Sequence, residues 1–530
     1  MAYALSPYRS YIPGLIKGPA IILLILLQSF VLGITSTTAS RLSAFYGIEP
    51  ETVVWFSQIG AVGMVVIVPV YYRLRMYFKK ADLLQLALCL QVLLALLCFT
   101  VDYAPLLLVT NFFMGMLKLI CLLDFISLLT ANYPVMRHRA LFYGIYYTIA
   151  RIGGELADIF VNPVLEDYDW RDIYLISAVS ASICIIICTV LFHRQRMHRK
   201  VPLYQVDWLS MFLFAGAALL FCYMLTYGKT LDWFEDDTIL YALLGCGIST
   251  LLFVYRQYHV KRPFWNLRVF SLYQQVPLGI AFMLVLYVFF STNFLFNYYA
   301  GYNFREEENY LSQVAFITLC AYLVSFPLTG LLLYKGVQRR VMLCIGFLSY
   351  AGSLYLFCNR IQTSASFEGL VLPYLMQGMA YGIVLTTLST FAATNIPREM
   401  NADRVMGSLS FRYIIGSFAG YSLYSNWLFR STVVHATRLS EGLTYENPLY
   451  NTELNSFRAL YLSHGMDVQD ATAAALATIQ KKLQLQAMLV SMRDISMQAA
   501  IAAAIAACMV LLVRKFEMHE IAARNTYKIV

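Results

Sequence analysis

Fourteen stretches of predominantly apolar residues recur along the chain, at 18–35, 53–72, 83–101, 104–129, 141–161, 173–192, 208–227, 239–255, 276–299, 311–333, 341–358, 370–392, 405–429 and 497–513. A hydrocarbon layer about 30 Å thick is crossed by about 20 helical residues rising about 1.5 Å each, so these runs have the length of membrane spans. Lipid satisfies no backbone N–H or C=O, which restricts a crossing to a helix or a closed barrel, and the alternating pattern of barrel strands is absent. The expected fold is an all-α membrane protein with fourteen transmembrane helices. Composition agrees, with 60% hydrophobic and 13% charged residues, where soluble domains run at about 25% charged. The 39 Tyr and 35 Phe exceed what interfacial belts demand and are enough to line a cavity.

Basic residues are retained on the cytoplasmic side of a membrane. With the amino terminus inside, the inner segments hold Arg9, Lys17, Arg73, Arg75, Lys79, Lys80, Arg137 and Arg139, the run "HRQRMHRK", and later Arg256, Lys261, Arg262, Arg268, Lys335, Arg339 and Arg340. The short outer loops hold five, namely Arg41, Arg171, Lys229, Arg305 and Arg360, beside acidic runs such as "DWFEDD" and "REEE". Both termini are therefore expected in the cytoplasm. The net charge of +9 is mostly this topology signal, spread over many short loops, and not a nucleic-acid surface.

Further features exclude function classes. The first apolar run has no small-residue cleavage site and is followed by further spans, so it reads as a retained helix. All eleven Cys fall inside the spans without CxxC or metal spacing, and all seven His fall in loops or tails. That argues against a haem, a zinc protease, an intramembrane histidine relay or any cofactor. The connections divide the chain into six spans (1–200), two accessory spans (201–262) and six more (263–530). A long outer loop at 430–498 contains "VQDATAAALATIQKKLQLQAMLVSM", which has the composition of an extramembrane helical hairpin.

Four stretches in order carry a resemblance. They are "DYDWRDIYLIS" with Trp170 and Arg171; "VDWLSMFLFAGAALLFCYMLTYG" followed by "KRPFWNLRVFSLYQ"; "FRYIIGSFAGYSL" with Arg412, Gly416 and Gly420; and "QAMLVSMRDISMQAAI". Together they cover nearly the whole chain, and it resembles the fourteen-span drug/proton antiporters of the major facilitator superfamily, the EmrB/QacA-like type. The resemblance implies two six-helix bundles around a midplane cavity plus two inserted helices, and proton-driven export of small amphipathic or aromatic compounds across a bacterial cytoplasmic (inner) membrane. It also implies a periplasmic adaptor protein and an outer-membrane channel as partners, beside the small-molecule substrate, protons and membrane lipid. The chain departs from the family at its coupling motifs. Arg75 stands in "YYRLRMYFKK" where an acid is expected after span two, Asn111 stands where span four expects arginine, and Ile149–Ala150 replace a Gly-Pro before "RIGG".

Within "YTIARIGGELADIF", Arg151, Glu155 and Asp158 fall at i, i+4 and i+7 and form one stripe. An unpaired charge in the bilayer costs at least ~2.5–3.5 kcal/mol, so the stripe should face protein or water. At ~1.5 Å per residue the three lie about 15, 21 and 26 Å from the inner end, and Lys118 lies level with Glu155, about 16 Å deep in span four. The expectation is a Lys118–Glu155 encounter, as a fixed ion pair or as a titrating, transport-coupled site. For Arg412, about 9 Å deep in span thirteen, the expectation is structural bridging, to loops or to a partner acid such as Asp124, about 8 Å deep. In "LYVFFSTNFLFNYYAGYNF", Asn293, Phe294, Asn297 and Tyr298 are candidate cavity residues, with packing or lipid contact as the alternative. Two other functions remain open: a lipid or polymer-precursor flippase, and a membrane-embedded transferase, which would need a His/Asp/Glu cluster at one interface.

Overall fold

A computed structural model of the protein describes residues 7–37, 50–101, 103–167, 171–194, 200, 202–304, 310–363, 366–444, 447–513 and 516. Trp170 of the sequence motif lies outside them. Helices account for the architecture, and among the described residues the only β-type pairing is one isolated bridge, Tyr8 to Phe192. The helices are α1 (Gly14–Thr37), α2 (Pro50–Tyr77), α3 (Lys80–Thr100), α4 (Ala104–Asn132), α5 (Arg139–Asp167), α6 (Asp172–Leu191), α7 (Trp208–Tyr227), α8 (Asp237–His259), α9 (Gln275–Phe290), α10 (Asn293–Asn303), α11 (Tyr310–Tyr334), α12 (Arg339–Arg360), α13 (Glu368–Ala393), α14 (Asn401–Leu409), a π-helical segment (Ser410–Ser417), α15 (Phe418–Ser440), α16 (Pro448–Ser463) and α17 (Val468–Leu512).

Twelve of the described helical spans are long and apolar enough to cross a membrane. Two of the fourteen apolar runs are not among them: α5, and the segment from α14 through α15. Both are helical throughout, and both interrupt their apolar surface with charge, Arg151, Glu155 and Asp158 in one and Arg404 and Arg412 in the other. Each therefore needs protein around it. Accordingly α5 is packed between α1 and α11, and the π segment is packed against α9 and α2. In contrast, α8 turns Tyr241, Leu244, Ile248 and Leu251 outward, 57% or more exposed, a surface suited to lipid.

Glycines set the closest approaches. A Cβ at Gly115 on α4 would overlap the carbonyl oxygen of Gly60 on α2, and one at Gly144 on α5 would stand 2.9 Å from the Phe326 oxygen of α11. Gly416 and Gly420 face α9, where a Cβ at Gly416 would meet Cβ of Tyr287 at 2.7 Å, so both are packing positions. The α7–α8 pair is joined by Asp207, which caps α7 by accepting from the Ser210 N–H at 3.3 Å and pairs with Arg256 at 2.9 Å. Burial opposes ionisation of the Asp207 carboxyl, but the Arg256 and Ser210 hydrogen bonds outweigh it and hold the group below the usual range.

Two continuous structural details matter beyond the spans. The single apolar run 276–299 is broken into α9 and α10 at Ser291–Thr292, whose hydroxyls donate back to Tyr287 O at 2.9 Å and Phe289 O at 2.7 Å. The 45-residue α17 is about 67 Å long, more than twice the hydrocarbon thickness. Its amino-terminal part packs on α16 through Tyr461–Thr478 at 2.7 Å and Lys482–Glu453 at 3.5 Å.

Candidate functional site

A cavity of about 530 Å³ lies among α1, α2, α4, α5, α13, α14 and the π segment, reaching Met283 of α9. From Phe142 to Asp158 it follows α5 over seventeen residues, about 24 Å. Aliphatic side chains of α4 and tyrosines of α5 form much of its wall, with Arg75 and Arg404 at one end and Asp158 at the other.

Two arginines enter the aromatic region from opposite helices. Arg151 of α5 donates to the Tyr381 hydroxyl of α13 and stands 4.7 Å from that ring's centroid and 5.8 Å from those of Phe290 and Tyr322. Arg412 donates to the Tyr287 hydroxyl at 2.7 Å and the Tyr147 hydroxyl at 3.3 Å, with its guanidinium 5.1 Å from the Tyr287 and Tyr413 centroids. The Tyr287 and Tyr381 hydroxyls lie 2.9 Å apart, and Tyr147 is 2.8 Å from Ser389 Oγ, so one hydrogen-bonded string crosses α5, α9, α13 and the π segment. The π turn is what carries Arg412 here, since widening the helix by one residue re-aims the side chains that follow.

The acids sit deeper along α5. Glu155 Oε2 accepts from Thr318 of α11 at 2.8 Å. Asp158 is three residues on, lines the cavity, and its Oδ1 has no partner. Across the cavity the buried Lys118, 1% exposed, donates to the Val31 carbonyl at 2.8 Å. The expected Lys118–Glu155 pair is corrected: among the described residues no ion pair joins them, because each has been claimed by a different neighbouring helix.

Asp124 also departs from expectation. It lies fully buried at the α2–α4 contact, where Tyr71 donates to Oδ1 at 2.9 Å and Arg75 and Lys80 lie within 3.6 and 3.7 Å. Its partners come from the end of α2 and the start of α3, so it does not reach Arg412. The position where Arg75 replaces an acid is thus answered by an acid on α4. The span-nine candidates fall elsewhere too. Asn293, Phe294, Asn297 and Tyr298 are absent from the cavity lining, Phe294 packs on Tyr298 and Tyr421, and Tyr298 is 49% exposed. The aromatic partners that sequence reading missed, Tyr147, Tyr287, Tyr381 and Tyr413, were signalled only by the abundance of tyrosine.

Helices packed around a central polar-aromatic cavity define a membrane transporter of the solute-carrier kind. The chain belongs to the Major Facilitator Superfamily, whose family model matches residues 21–421. It is 23% identical over 476 residues to "Probable multidrug resistance protein EmrY" of Escherichia coli (strain K12), covering 88% of this chain and 89% of that one. It is 23% identical to "Multidrug export protein EmrB" of Haemophilus influenzae, covering 83% and 88%. A solved bacterial homologue of the human drug peptide transporters PepT1 and PepT2 superposes with a TM-score of 0.58 at 10% identity, over 95% of this chain and 99% of that one, a likeness of fold.

Proposed function

We propose that the protein is a proton-coupled exporter of small amphipathic or aromatic compounds, of the multidrug-efflux kind named for its relatives EmrY and EmrB. The observation that carries this reading is the cavity itself: an aromatic chamber among spanning helices with a carboxylate pair, Glu155 and Asp158, along one wall. Fourteen helices cross a bacterial inner membrane with both termini in the cytoplasm, divided at 1–200, 201–262 and 263–530. Glu155 carries the exchangeable proton and Asp158 relays it. Arg151, on the same stripe, provides the cation that faces Glu155 when the proton leaves, and Arg412 ties the opposite bundle to the same string of hydroxyls. Lys118 and Asp124 hold the helices. The α16–α17 hairpin lies outside and is the surface for a periplasmic adaptor that leads to an outer-membrane channel.

Proton coupling is tested with Glu155→Gln in proteoliposomes under an imposed pH gradient. Gradient-driven movement should be lost while substrate-for-substrate exchange continues, because only proton release is removed. A variant that still concentrates substrate at the wild-type rate would overturn the coupling role. Topology is tested by a cysteine placed at Ser463 in a cysteine-free background; labelling from the cytoplasmic side alone would overturn the orientation.

A further inference from the structure

The turn between α7 and α8 touches both six-helix bundles, and its backbone is bent to do so. Asp232 and Trp233 stand at φ of 48° and 55°, the left-handed region that residues with side chains adopt at a cost. The Trp233 N–H donates to the Gly228 carbonyl at 2.7 Å, and the indole folds over Gly228 so closely that a Cβ there would lie 2.8 Å from the ring. That fold turns the indole N–H toward α15, where it donates to Asn426 Oδ1 at 3.1 Å. Asn426 is itself held in place, since its amide donates to the Ser422 carbonyl at 2.8 Å. On the other side the turn meets α2, where the hydroxyls of Tyr227 and Thr52 lie 2.8 Å apart. Lys229 serves both bundles, with Nζ 4.0 Å from Glu51 Oε1 of α2 and 4.9 Å from the Phe429 centroid of α15.

One helical turn further in, the bundles meet directly. Trp55 of α2, 8% exposed, sets its ring edge-on to Phe418 of α15 at 5.9 Å and to Tyr223 of α7 at 6.5 Å. The cavity ends short of this contact: among the described residues its lining on α2 begins at Gly60 and includes nothing from α15. Alternating access requires the bundles to part at this end in one half of the cycle. Parting separates Trp55 from Phe418, and a turn bonded to both helices opposes it. We propose that the α7–α8 turn is a latch on the outer mouth of the cavity, closed when Trp233 and Lys229 bridge α2 and α15 and open when they let go of α15. This rests on the transporter and topology reading above and names the element that regulates it. The left-handed residues give the latch its second state, because once Trp233 leaves Asn426 the turn relaxes to ordinary φ values. The accessory pair therefore sets how often the cavity faces outward.

The test reads the distance between spin labels at Tyr103 and Thr363, exposed positions on outer loops of the two bundles, in the full chain in a cysteine-free background in nanodiscs. Trp233→Ala, Lys229→Ala and, from the opposite side, Asn426→Ala should each raise the long-distance population by about twofold or more. Trp233→Phe, which keeps a ring and loses the N–H, should fall between. Asp207→Ala loosens the same helix pair at its other end and should leave the distribution as it is. Ethidium movement in proteoliposomes under a pH gradient gives the second readout. A reducible bifunctional thiol reagent joining Trp233→Cys to Asn426→Cys should stop movement, and reduction should restore it. Label separation unchanged by all three turn variants, an equal response to Asp207→Ala, or full-rate movement with the bridge in place would overturn the latch. Separation that follows the latch variants in protein that moves no ethidium would remove the exporter and keep the latch. Unchanged separation in protein that does move it would remove the latch and keep the exporter.

Discussion

Two buried charged groups sit on neighbouring parts of the molecule and are handled in opposite ways. At the α2–α4 contact, Asp124 is fully buried and matched by Tyr71, Arg75 and Lys80, while Lys80 also donates to Ser127 at 3.1 Å. At the α5–α9–π contact, Arg412 is also buried, at 5% exposed, but meets only phenols and ring faces. The first arrangement has its counter-charge built in and needs no visitor. The second is supported by cation–π contacts and hydroxyls, which are individually weak, and it is open to the cavity. A transporter needs both kinds: charges that fix helices relative to one another, and charges whose partner comes and goes.

The sharpest break of this comparison is a pair of substitutions measured by thermal unfolding in nanodiscs. Asp124→Asn should be the most damaging, by about 3–5 kcal/mol, because it strands Arg75 and Lys80 at a buried contact. Arg412→Gln should change stability by no more than about 1 kcal/mol, since the charge removed has no protein counter-ion and its desolvation cost goes with it. Equal losses from the two would end the distinction.

A third charge, Asp207, gives a graded case. Asp207→Ala removes the α7 cap and the Arg256 pair and should cost about 1–2 kcal/mol, read as looser docking of the α7–α8 pair. Its carboxyl is held below the usual range in the folded protein, so its contribution is present above the unfolded value of about 3.9 and is lost as pH falls through the lower folded value. The stability difference between wild type and Asp207→Ala should therefore vanish in acid. A difference that persists below that window would assign the effect to packing.

The smallest effect is a null one. Lys118→Ala and Glu155→Gln should add within about 0.5 kcal/mol in a double-mutant cycle, because Lys118 bonds Val31 of α1 and Glu155 bonds Thr318 of α11. A larger coupling would restore the direct pair.

The sequence made the fold legible where one physical rule dominates. Lipid leaves no alternative to helices, so apolar runs mark spans, and charge inside a run marks a helix that must be wrapped by others, as α5 is by α1 and α11. The stripe of Arg151, Glu155 and Asp158 followed from helical spacing alone, and the cavity does follow it. Residue pairings were not legible. Depth along a span placed Lys118 level with Glu155, but depth carries no azimuth, and the two turn toward different neighbours. Likewise the alternation around Asn293 and Phe294 marked polar and aromatic residues without saying which neighbour they meet, and Phe294 packs on Tyr298 and Tyr421 instead of lining the cavity. Arg412 was recognisable as a buried charge, but the tyrosines it bonds come from two other helices, α5 and α9, far apart in the chain. Helix formation, and the wrapping of charged helices by others, are local consequences of the solvent each residue meets, and the sequence determined them. Which cation finds an acid and which is left facing a cavity depends on helix rotation and on the π turn, and only the tertiary structure decided that.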